Sequence, residues 1–110
     1  MKTAIQEINM PSVDEDGLLC DPGKWNEEVA EAMADRLGID YLSADHWLVI
    51  YALRNYYQRF AVAPAMNNIC HQYGKDGLWV HNLFSSCLNA WRVAGLPNPG
   101  EEAKTYLNDM

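Results

Sequence analysis

Basic residues are scarce in this 110-residue chain. Eight Lys and Arg stand against fifteen Asp and Glu, for a net charge of −7. Phosphates repel such a chain, which disfavours broad nucleic-acid affinity. The shortage is uneven. Residues 1–45 carry eleven acids and three bases, whereas residues 46–100 hold Arg54, Arg59, Lys75 and Arg92 against Asp76 alone. That mildly basic middle suits an acidic partner. Long apolar runs are missing too: nothing approaches the roughly 18 residues of a membrane span. The start, Met1 to Glu7, has no apolar signal core. A cytoplasmic protein with no membrane contact is the expectation. Cysteine is limited to Cys20, Cys70 and Cys87, an odd count that favours reduced thiols over a disulfide framework. Cys70, His71, His81 and Cys87 have no closed zinc spacing. There is no catalytic triad, no phosphate-binding glycine loop and no carboxylate pair on rigid elements. No metal and no cofactor are expected, and Asp14, Glu15 and Asp16 read as a solvated turn.

What is present is helical periodicity with clear punctuation. Gly17, after Asp14-Glu15-Asp16, marks a tight turn. Short strands are expected on either side, one ending near Val13 and one over Leu18–Cys20. Asp21-Pro22 offers a cap and a first helical residue. Trp25, Val29, Ala32, Met33 and Leu37 then recur with helical period up to Gly38. Ser43 caps a second helix, with His46 nearby. Trp47 to Leu53 is apolar at every position, which predicts the buried central helix of the core. A third helix runs from Pro64 to about Tyr73, a fourth from about Asp76 to Phe84, and a fifth from about Ser86 to Ala94. Gly95 stops the last of these, and Pro97 and Pro99 hold the chain extended. The pattern is one domain over 1–99, a strand hairpin followed by about five helices. Residues 100–110 form a tail that is mobile, or a weak helix docked through Tyr106 and Leu107.

Several segments, taken in order, resemble a known family. They are Val13 to Pro22, Trp25 to Ala30, Ala44 to Ile50, Leu53 to Tyr57, Ala63-Pro64-Ala65, and above all Ala94-Gly95-Leu96-Pro97-Asn98-Pro99. The chain is similar to the sulfur-relay proteins TusE, DsrC and DsvC over about Val13 to Pro99. The resemblance implies an α+β fold, mostly helical, with a small N-terminal antiparallel β meander packed on the helices and an extended C-terminal arm. It implies sulfur carried as a cysteine persulfide on that arm, in tRNA thiolation or in dissimilatory sulfur metabolism. Two departures stand out. The stretch from Pro64 to Phe84 is short for the family, and Leu83-Phe84-Ser85-Ser86-Cys87 lacks the usual Pro and Gly.

The family thiols are also absent. The reactive cysteine expected at the next-to-last position is replaced by Asp109. The position of a second cysteine that some family members use, three residues before Ala94, is Trp91, and eleven residues on stands Glu102. The sequence therefore points to a non-catalytic paralogue with no catalytic residue. It would dock on sulfur-transfer or sulfite-reductase partners through Arg92, Gly95, Leu96, Pro97 and Pro99. Two alternatives remain open. Cys87, the nearest thiol, shares a helix face with Trp91 and could carry sulfur if exposed with a lowered pKa. Residues 65–84 outline a helix-turn-helix with Lys75, His81 and Asn82 as polar residues for DNA, although apolar residues dominate its second helix.

Overall fold

A computed structural model describes residues 10–108. Six α-helices follow one another: α1 (Glu27–Arg36), α2 (Ala44–Phe60), α3 (Met66–Gln72), α4 (Trp79–Phe84), α5 (Cys87–Val93) and α6 (Glu101–Asn108). Their starts are set by local chemistry. Asn26 Oδ1 accepts from Val29 N at 2.9 Å and so opens α1. Ser86 Oγ accepts from Asn89 N at 3.0 Å and opens α5. At α2, Ser43 and His46 form a reciprocal capping box. The Ser43 N–H donates to His46 Nδ1 at 3.0 Å, which leaves the ring proton on Nε2 to donate to the Leu83 carbonyl at 2.8 Å. The buried His46 thus ties the start of α2 to α4, and its role is structural.

The expected β meander is not there. Among the described residues no strand forms, and a single antiparallel bridge, Val13 to Leu19, is all that remains of the hairpin. The part of the first strand before Met10 lies outside the described residues. The reason is where the backbone donors go. Asp14 Oδ1 takes the N–H groups of Asp16 and Leu18 at 2.9 and 3.0 Å, so the loop spends them before a ladder can. Pro11 has no N–H, and Asp21-Pro22 turns the other side into a short 3₁₀ segment, Pro22–Lys24. Leu18 is nevertheless fully buried and plugs the loop into the core.

Two further expectations need correction. The first long helix starts at Glu27 rather than at Pro22, because Trp25 is extended (φ −72°, ψ 141°) between the 3₁₀ turn and Asn26. The core helix is α5, not α2. On α2 only His46, Val49, Ile50 and Leu53 are buried, while Leu48, Tyr51 and Phe60 remain 43%, 39% and 54% exposed. On α5, Cys87, Leu88, Ala90, Trp91 and Val93 are buried, and α1, α2, α4 and α6 all pack against it. The helix whose composition is apolar all round lies at the edge, and a seven-residue helix fills the centre.

Candidate functional site: the docked C-terminal arm

The segment after α5 turns back onto the body at once. Gly95 has φ +69°, and a Cβ placed on it would stand 2.0 Å from Trp25 Cδ1. Trp25 reaches this position because its indole N–H donates to the Val93 carbonyl at 2.9 Å. The Arg54 guanidinium lies 3.9 Å from the Trp25 ring centroid and donates to the Ala94 carbonyl at 2.7 Å. Trp91, fully buried, donates its indole N–H to the Pro97 carbonyl at 2.7 Å and meets Tyr57 edge-on with ring centroids 5.7 Å apart. The root of the arm is therefore held by two tryptophans and an arginine. Leu96 is buried among them, Pro97 and Pro99 are half-buried, and Asn98 is exposed.

From Glu101 to Asn108 the chain is helical and docked. Leu107 is fully buried. The Tyr106 hydroxyl accepts from Met66 N at 3.2 Å. Lys104 bonds Asp16 at 2.6 Å and Glu101 at 2.9 Å, and its hydrogen bonds to these two carboxylates hold the ammonium above the usual lysine range. Glu102 is exposed and lines a cleft of about 420 Å³ with Tyr57, Val62 and Pro99. The two positions at which the resemblance places thiols hold a buried indole, Trp91, and an exposed carboxylate, Glu102.

Of the candidate docking residues, Gly95, Leu96, Pro97 and Pro99 follow one another around this bend. Arg92 leaves α5 in another direction: its Nε donates to the Asp16 carbonyl at 2.7 Å and its Nη1 to Asn89 Oδ1 at 2.7 Å. Cys87 is buried. Desolvation first, then the neighbouring Cys70, pushes its thiol up to about 12, so near neutral pH it is not a nucleophilic thiolate. Cys70 is also buried, and Cys20 is exposed. In the helix-turn-helix outline, Lys75 and Asn82 are exposed and His81 is half-buried, while Val80 and Phe84 face the core. The arm's anchors, Trp25 and Arg54, are what sequence reasoning missed. Both fall within segments of family resemblance, but nothing local links them to residues 93–95.

The loop that meets the arm is held by a titratable carboxylate, Asp14. Burial alone would raise the Asp14 pKa, but N–H donors from Leu18 and Asp16, then Asn98 and Lys104, outweigh it and hold it below the ordinary value. A carboxyl with a depressed folded pKa contributes stability above its unfolded value, and this is lost as pH falls through the folded one. Acidification below about pH 4 should therefore release the Leu18 and Asp16 amides, seen as faster hydrogen exchange. Asp14→Asn should flatten that dependence.

The sequence profile described as "DsrC like protein" matches residues 5–101. Sulfurtransferase TusE of Salmonella choleraesuis (strain SC-B67) is 33% identical over 97 residues, covering 80% of this chain and 88% of that protein. The TusE homolog of Haemophilus influenzae (strain ATCC 51907 / DSM 11121 / KW20 / Rd) is also 33% identical with the same coverage. The oxidized gamma subunit of the dissimilatory sulfite reductase (DsrC) from Archaeoglobus fulgidus superposes with a TM-score of 0.74 at 32% identity, covering 83% of this chain and 90% of that one. Allochromatium vinosum DsrC gives 0.69 at 34% identity, covering 81% and 87%. The profile match, the TusE relatives and the DsrC neighbours converge: this chain belongs to the TusE/DsrC family of sulfur-relay proteins.

Proposed function

We propose that this chain is a relay-family protein that docks on sulfur-transfer or sulfite-reductase partners and regulates them without carrying sulfur itself. The carrying observation is Trp91, a fully buried indole bonded to Pro97 at the position where some members of the family it resembles have a second thiol. Persulfide transfer requires a reachable thiolate. Glu102 stands at the other thiol position, and Cys87 is buried with a raised pKa. The relatives named sulfurtransferase TusE, and the neighbour named as a gamma subunit of sulfite reductase, support the choice of partner class. On this reading residues 1–99 are the docking domain, residues 100–110 extend it, and Arg92, Pro97 and Pro99 border the contact surface.

Intact-mass analysis after incubation with a persulfide donor tests the first half. No adduct of one sulfur atom should form on Cys87, and any adduct on the exposed Cys20 should fail to pass to a relay partner. An adduct on one cysteine that transfers to an acceptor thiol would refute the proposal. Docking is tested by competition: the chain should displace the gamma subunit from a sulfite reductase.

A further inference from the structure

Against the arm's root lies a recess of about 540 Å³ lined by Trp25, Tyr51 and Tyr57, with Pro22 and Gln58. Leu96 adds apolar surface and Asn55 an amide. Arg54 is the one charged residue lining it, in a chain of net charge −7. Its guanidinium rests on the Trp25 ring and spends one donor on Ala94, and among the described residues no carboxylate pairs with it. Glu27, the acid bonded nearby, is engaged by the Tyr51 hydroxyl instead. Desolvation lowers the Arg54 pKa, and the neighbouring Tyr51 offsets this only in part. Arginine presents five donors, so most of the fork is available. A desolvated cation among apolar walls matches an anion that brings apolar surface with it.

We propose that this recess binds a carboxylate carried on an aromatic or branched apolar group. The oxygens would sit on the Arg54 donors that Ala94 leaves free, and the apolar part would lie against Trp25, Tyr57 and Leu96. The proposal stands independently of sulfur chemistry. Arg54 also holds the Ala94 carbonyl, so the ligand would touch the root of the arm.

Titration of the ¹⁵N-labelled chain with 3-phenylpropionate, followed at the Trp25 indole N–H and the Leu96 amide, tests it. Saturable shifts are expected, about tenfold weaker for 3-phenylpropionamide because a charge-assisted bond is lost. A Gly-Gly-Leu-Phe peptide with a free or amidated terminus separates the sources. Binding of the free acid alone identifies a small-molecule site, and binding of both acids identifies a reader of C-terminal carboxylates. Arg54→Gln should abolish the shifts but also loosens the arm. Asn55→Asp is therefore the deciding variant: Asn55 is exposed, and a carboxylate there should weaken binding about tenfold. Equal affinity for acid and amide, no saturation at millimolar ligand, or an unchanged Asn55→Asp would each overturn the proposal.

Discussion

Gly95→Ala should destabilise the protein by about 4 kcal/mol, a cost that combines a left-handed backbone with overpacking against a ring. The added Cβ would stand 2.0 Å from Trp25 Cδ1 and within 2.9 Å of its Cβ. Trp25 cannot step aside cheaply, because its indole holds Val93 and Arg54 lies over its ring. A domain of this size is stable by only about 5–15 kcal/mol, so the melting temperature should fall by roughly 20 °C. Gly38→Ala provides the control. Gly38 also has a positive φ, at +83°, but nothing lies within 4 Å of its virtual Cβ. It should cost about 1 kcal/mol, the backbone penalty alone. Thermal denaturation followed by circular dichroism compares the two. Equal losses would mean that the arm's root does not depend on Trp25.

Trp91→Ala is the second large effect. It empties the centre of α5 and should cost about 4 kcal/mol. Trp91→Phe retains most of the ring and the contact with Tyr57 but drops the bond to Pro97, for about 1.5 kcal/mol. Urea unfolding measures both. Amide exchange at Leu96 and Gly100 reports whether the bend loosens. The Phe variant should free those amides while leaving Val49 and Leu53 protected. If exchange were uniform across the chain, Trp91 would be a core residue with no special hold on the arm. Gly95 and Trp91 belong to one packed unit, so their losses should not add.

The parts of this structure that were legible in the sequence are those with local causes. Ser43 and Ser86 cap helices through residues three positions on, and Gly38, Gly74 and Gly95 close them at the next backbone step. Asp21-Pro22 misled because the same cap and proline suit a 3₁₀ turn, while Asn26 was the true start of α1. The hairpin failed because Asp14 competes for its own loop's N–H groups, a side-chain choice that turn composition does not reveal. The apolar stretch in α2 exaggerated its burial, since among the described residues one face is left uncovered, with Leu48 and Tyr51 exposed. The arm itself was visible through resemblance. Its anchors were not: Trp25 to Val93, Arg54 to Ala94 and Lys104 to Asp16 span 68, 40 and 88 residues, and no periodicity reaches that far.

The central place of α5 also fixes when the chain can fold as it is made. Helices α1, α2 and α4 each direct buried side chains at a helix that begins only at Cys87. A nascent chain whose last free residue precedes Val93 has the walls formed by α1, α2 and α4 and nothing to put between them. It must wait with Val29, Ile50 and Leu53 uncovered, the condition in which chaperones recognise their clients. Assembly then becomes a late event, triggered by the emergence of one short helix and the bend that follows it.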